Sequence, residues 1–156
     1  MKKILILLAV LAILPLAQLA AQSSGYNVFS FDIGYAPSYN VNTGDTDSQT
    51  LFGFNVMVGN DLAAGFTLIG NSTAGFSLLT LKYQIIDRIK AQVSLGLQNP
   101  GGSPIPVSGL GFEYAPFTQS NNSLNTELKL RIEYLFPNNY VEQGWLFFGL
   151  ALGVGV

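Results

Sequence analysis

The chain has 156 residues, with no cysteine and no histidine. The missing cysteine excludes a disulfide framework and a thiolate metal site, and the missing histidine excludes the Ser-His and Asp-His pairs of common hydrolases. Charged residues make up only 10% of the chain, and seven basic residues leave no basic patch for nucleic acid. We therefore expect no enzymatic activity, no cofactor or metal, and no nucleic-acid partner.

The N-terminus has the three parts of a secretory signal peptide. Met1-Lys2-Lys3 is basic, residues 4–16 are an apolar run, and small residues follow up to Ala21. The run is shorter than the roughly 20 apolar residues that a membrane helix needs. We predict a cleaved signal peptide over 1–21 and a single domain over 22–156, which has five basic and nine acidic residues and a net charge of −4.

Eight later segments alternate between apolar and polar residues with a period of two, which indicates β-strands. In chain order they are Tyr26–Ala36, Leu51–Asn60, Leu62–Gly70, Ala74–Ile86, Ile89–Gln98, Val107–Ala115, Asn125–Phe136 and Gly144–Val156. In the fourth segment Phe76 and Leu78 lie on the parity opposite to Leu79 and Leu81, which predicts a bulge near Leu78. No segment reaches the length of a membrane helix, and each has about the length of a tilted membrane strand.

The links between these segments alternate in length. Longer links follow the first, fifth and seventh segments, at Pro37–Thr50, Asn99–Pro106 and Pro137–Gln143. Tighter links lie at Asn60-Asp61 and Asp87-Arg88, with a somewhat longer one at Phe117–Ser123, and a short one at Asn71–Thr73 fits this alternation poorly. Long outer loops and short periplasmic turns are typical of outer-membrane barrels. We therefore expect the N-terminus of the domain to be periplasmic.

Every charge on a predicted strand lies on the parity opposite to the apolar row. The set contains four acidic and four basic residues: Asp32, Lys82, Lys90, Glu113, Glu127, Lys129, Arg131 and Glu133. A neutral set suits a confined interior, because an isolated ion in low dielectric costs several kcal/mol. We predict that these residues form a paired, structural charge network in a lumen and that the apolar rows face lipid.

This pattern, over essentially all of Tyr26–Val156, resembles the small eight-stranded outer-membrane barrels of the OmpA and OmpX type. The resemblance implies an all-β fold, an eight-stranded antiparallel up-and-down transmembrane β-barrel in the bacterial outer membrane. It also implies contact with outer-membrane lipid and with the barrel-insertion machinery during assembly. Members of such families usually end in an aromatic residue, whereas this chain ends in Leu152-Gly-Val-Gly-Val156.

The first long link is the best candidate for contact with an unknown extracellular ligand. Its candidate contact residues are Tyr39, Asn42, Asp45 and Asp47. The two aspartates lack the further ligands of a 12-residue calcium loop, which favours a solvated turn. We therefore expect an envelope structural or surface-interaction protein. Two alternatives remain at this point: a soluble exported carrier of the lipocalin kind with apolar rows around a ligand, and a small pore.

Overall fold

A computed structural model describes residues 28–71, 75–86, 88–99, 103–121, 124–136 and 144–156. The predicted signal peptide and the predicted Pro137–Gln143 link lie outside these ranges. Within them, no helix is long and apolar enough to cross a membrane. The described residues form ten strands: β1 (Phe29–Tyr35), β2 (Ser38–Asn40), β3 (Thr46–Asp47), β4 (Thr50–Met57), β5 (Leu62–Gly70), β6 (Gly75–Ile86), β7 (Ile89–Asn99), β8 (Ile105–Asn121), β9 (Leu124–Leu135) and β10 (Trp145–Gly155).

The strands form one closed antiparallel sheet. From β4 to β10 each strand pairs with the next, and β1 pairs with both β4 and β10, which closes the barrel. Strands β1 and β2 both pair with β10, so they are two parts of one barrel strand interrupted at Ala36 and Pro37. Likewise β3 and β4 form the second barrel strand, since they pair with β2 and β1. The predicted eight-stranded up-and-down meander is confirmed.

The apolar rows lie on the outside of the barrel. The side chains of Phe31, Leu95 and Phe112 are 60%, 61% and 58% exposed, while their polar neighbours Asp32, Ser94 and Glu113 are buried. This is the reverse of a soluble sheet, in which the apolar row is buried and the charges face water. A carrier of the lipocalin kind would place the apolar rows around a cavity instead.

The predicted bulge near Leu78 is wrong. Strand β6 pairs with β5 without a register shift from Gly75 to Tyr83, so Phe76 and Leu78 point into the barrel. The irregularities lie elsewhere, between Gln84 and Ile86 and between Tyr114 and Phe117. The unexpected parity of Phe76 and Leu78 therefore reflects an apolar part of the interior.

Three predicted links are partly strand, of which the Asn99–Pro106 link contains only the end of β7 and the start of β8. The Pro37–Thr50 link contains β2 and β3, which pair as a hairpin, with the turn near Gly44 at a φ of 78°. The Phe117–Ser123 link is also wrong over 117–121, where β8 continues to Asn121 and pairs with β9. Polar residues such as Thr118 and Gln119 pair here because the partner strand provides hydrogen bonds that local propensity does not reveal.

Candidate functional site

The barrel interior has two zones, which we locate by the two ends of the barrel. The Val156 end is where Phe29 and Val156 pair through their backbones. The hairpin end is where β2 and β3 form their hairpin. All eight predicted luminal charges lie on inward-facing positions. Those of β6 and β7 lie nearer the Val156 end, whereas Glu133 of β9 lies opposite Phe147, toward the hairpin end. Six of the eight are buried, and Lys90 and Glu127 are partly exposed.

Five of these residues form one group, which we call the charged cluster: Asp32, Lys82, Glu113, Glu127 and Lys129. Lys82 Nζ lies 2.6 Å from Glu113 Oε2 and 3.9 Å from Asp32 Oδ2. Lys129 Nζ lies 2.7 Å from Asp32 Oδ1 and 3.4 Å from Glu127 Oε2. Each lysine thus contacts two carboxylates, and Asp32 links the two lysines.

Neutral side chains complete the hydrogen bonding around Asp32. Asn55 Nδ2 donates to Asp32 Oδ2 at 2.9 Å and to Ser30 Oγ at 3.2 Å. Lys90 lies opposite Glu113 in the β7–β8 register, and both line a cavity of about 20 Å³ beside the charged cluster. That volume is about the size needed for a single water molecule. The charged cluster is therefore packed, with no room for a larger ligand in this cavity.

A second group lies around Arg131 and Glu133. Arg131 Nη2 donates to Glu133 Oε2, and Arg131 Nη1 donates to Thr67 Oγ1 at 3.2 Å. Gln92 Nε2 donates to the other oxygen, Glu133 Oε1, at 2.9 Å. Both charged residues are buried, so their pairing and hydrogen bonds offset the desolvation of two ions.

The second zone is an apolar plug toward the hairpin end, which the sequence analysis missed. It consists of Ala36, Leu51, Ile69, Phe76, Leu78, Val107, Leu135, Phe147 and Ala151. The ring of Phe76 packs edge-on against Phe147, with centroids 5.1 Å apart, and against Trp145 at 6.1 Å. The sequence did contain an indication of this plug. Phe76, Leu78 and Phe147 all lie on the inward parity of their strands, and in a meander without a bulge their side chains enter the barrel interior together.

The four candidate contact residues lie together on the β2–β3 hairpin. Tyr39 is 38% exposed on the outward row. The other three take part in hydrogen bonds that hold the hairpin: Asn42 Oδ1 accepts from the Gly144 amide, Asp45 Oδ2 from Thr43 Oγ1, and Asp47 Oδ2 from Asn71 Nδ2. In the described part of the chain no group of three or more acidic side chains is placed to hold a metal ion. The hairpin therefore presents an ordered surface.

The closed meander, its outward apolar rows and its polar interior define a small eight-stranded transmembrane β-barrel. The resemblance to small outer-membrane barrels is thus confirmed at the level of the fold. No protein-family model and no curated protein matches the chain.

Three solved structures illustrate the similarity. One comes from the de novo design of transmembrane β-barrels, with 16% identity, a TM-score of 0.48, and coverage of 80% of this chain and 94% of that one. Neisserial surface protein A has 14% identity, a TM-score of 0.49, and coverage of 82% and 97%. Ail, the attachment invasion locus protein of Yersinia pestis, has 14% identity, a TM-score of 0.46, and coverage of 82% and 99%.

Proposed function

We propose that this protein is exported by its signal peptide and resides in the bacterial outer membrane as a sealed barrel. It acts there as an envelope structural or surface-interaction protein and not as an enzyme. The observation that carries the proposal is the exposed apolar surface around a closed barrel, with Phe31, Leu95 and Phe112 all more than half exposed. In water such a surface would cause aggregation, whereas in a bilayer it is the stable arrangement. Its partners are outer-membrane lipid and, during assembly, the insertion machinery.

The two zones of the interior support a closed lumen over the pore alternative. Ions cannot cross between the closely packed apolar side chains of the plug without losing their hydration. Beneath it the charged cluster fills the interior with ion pairs instead of free charge. A planar-bilayer recording should therefore show no discrete conductance for the protein, and a stable unitary conductance would refute the sealed lumen.

The β2–β3 hairpin is the surface through which contact with another molecule is proposed. Tyr39 offers an exposed ring, and Asp45 and Asp47 give the hairpin two acidic residues and no basic one. We expect the hairpin to favour a cationic partner surface and to disfavour polyanions, because like charges repel at an interface.

Membrane residence is tested by expressing the full chain in a Gram-negative host. The expected result is extraction only by detergent, processing to the 22–156 domain, and a gel mobility that changes on boiling. Release of soluble protein from the periplasm would overturn the proposal.

The contact role is tested separately with assembled protein. A Tyr39→Ala variant should lose binding to cells or to a cationic peptide surface, while Thr46→Ser, on the same hairpin, should keep it. Both variants should retain the heat-modifiable mobility of a folded barrel. Unchanged binding by Tyr39→Ala would rule out this hairpin as the contact surface.

A further inference from the structure

Strands β8 and β9 extend beyond the start of β7 at the Val156 end. The β7–β8 ladder ends where Ile89 pairs with Tyr114 and the Ala115 amide donates to the Arg88 carbonyl at 2.9 Å. Strand β8 nevertheless continues to Asn121, beyond a register shift that follows Tyr114. The β8–β9 hairpin therefore projects past the neighbouring strand and creates a step in the wall of the barrel.

A groove of about 550 Å³ lies at this step. Its apolar part comes from Phe117, Leu128 and Leu152, which are register neighbours across β8, β9 and β10. Phe117 is 70% exposed, the highest value among the large apolar side chains described. At the next outward position of β8 toward its end at Asn121, the polar residue Gln119 pairs with Thr126 of β9. An apolar surface that gives way to a polar one is typical of the membrane–water interface.

Arg88 provides the positive charge of this groove. In the described part of the chain it is the only basic residue off the inward rows, and its side chain is exposed. Its Nη1 donates to the Pro116 carbonyl at 3.2 Å, which fixes the guanidinium beside the projecting hairpin. A guanidinium has five N–H donors, so this single bond leaves donors for an anion. Arginine binds phosphate oxygens with charge-assisted, often bidentate hydrogen bonds.

We infer that this groove binds an anionic phospholipid of the periplasmic leaflet, with its phosphate on Arg88 and an acyl chain against Phe117 and Leu128. The inference rests on the proposed membrane location and on the Val156 end being periplasmic. Glu127 also lines the groove, but its carboxylate lies 3.4 Å from Lys129 Nζ, which reduces its repulsion of a phosphate. A basic residue at this interface favours anionic over zwitterionic lipid.

The test uses the full barrel in nanodiscs that contain equal amounts of phosphatidylglycerol and phosphatidylcholine. Native mass spectrometry then counts the lipids that remain bound to each barrel after the barrel is released from the nanodisc. Wild type should retain phosphatidylglycerol preferentially, and Arg88→Asn should retain it about tenfold less, because a charged hydrogen bond is lost. Asparagine suits the turn, since Arg88 has a φ of 68° and asparagine tolerates that region.

A second pair of variants tests the apolar wall. Phe117→Ala should also lower retention, whereas Leu95→Ala, on the same outer surface but outside the groove, should leave it unchanged. Equal retention of the two lipids by wild type, or equal retention by wild type and Arg88→Asn, would overturn the inference. Each variant is first checked for heat-modifiable mobility, and failure of wild type to insert would refute the proposed function instead.

Discussion

Lys129 Nζ lies 2.7 Å from Asp32 Oδ1 although 97 residues separate the two positions in the chain. Lys129 is on β9 and Asp32 is on β1, and β10 runs between them. The contact is possible because Gly153 on β10 has no side chain. A Cβ atom there would lie 2.6 Å from Lys129 Cε and 2.9 Å from Asp32 Oδ1. This ion pair therefore spans the seam at which the barrel closes.

Removing one partner of this pair should be more harmful than removing both. We expect Lys129→Met to lower the free energy of unfolding by about 3–5 kcal/mol, because the buried Asp32 carboxylate loses its closer cation and keeps only Lys82, at 3.9 Å, as an ionic partner. The double variant Asp32→Asn with Lys129→Met should recover a large part of that loss. Urea unfolding of the barrel in detergent micelles measures both effects. Equal losses in the single and double variants would show that the ion pair is not the source of the stability.

The glycine beneath the ion pair should not tolerate even a methyl group. We expect Gly153→Ala to destabilise the barrel by about 1–3 kcal/mol, because the added Cβ atom displaces the Lys129 side chain from Asp32. Gly59→Ala is the matched control, since a Cβ atom there meets only Leu62 Cβ, at an ordinary distance of 3.7 Å. The same urea titration compares the two variants, and similar midpoints for both would contradict the proposed crowding at Gly153.

The apolar plug should behave as a packed core. We expect Phe76→Ala to cost about 3–5 kcal/mol, because it leaves a cavity among buried side chains including Phe147. Phe112→Ala removes the same side chain from the lipid-facing row, where 58% of its surface is exposed in the barrel. In bilayer vesicles lipid replaces the lost contacts at Phe112, so the cost there should be smaller. A larger cost for Phe112→Ala would mean that the plug is not the core.

A charge on the outward row should block insertion. We expect Ile132→Arg to make insertion less favourable by about 2–4 kcal/mol, the cost of an arginine on the lipid-facing row near the bilayer midplane. Ile132→Ala removes the same side chain without adding charge, so it separates the effect of the charge from the loss of contact. The folded fraction after refolding into vesicles measures both variants. Equal folded fractions would show that this row does not face lipid.

Much of the barrel follows from residue parity alone. The alternation in β7 and β9 gives their bounds closely and places Lys90, Lys129 and Glu133 on the inward side, because a strand has a fixed period of two. The apolar plug was missed although parity alone places Phe76 and Leu78 on the inward row of Lys82. The expectation that large apolar side chains face lipid led instead to the prediction of a bulge, which would have turned these two side chains outward. Packing across the barrel decides their position.

The exact contacts depend on register between strands that are distant in sequence. Nothing local to Asp32 indicates that Lys129 lies beside it, because their approach requires all eight barrel strands to be aligned. The extension of β8 through Thr118 and Gln119 has a similar cause. Those residues have the composition of a turn, and only their pairing with β9 makes them a strand.

The pairing of β1 with β10 has a consequence for folding. It joins Ser30 to Gly155 and Tyr35 to Leu150, pairs with very large sequence separation, and the β2–β10 pairing continues this seam. The remaining strand pairs join near neighbours along the chain. Loop-closure entropy makes such distant contacts slow to form. We therefore expect the hairpins to assemble early. The two strand edges that β1 and β10 turn toward each other then stay without partners until the last step. Closure of this seam is then the event that commits the chain to its final structure, and a slow phase in refolding should report on it.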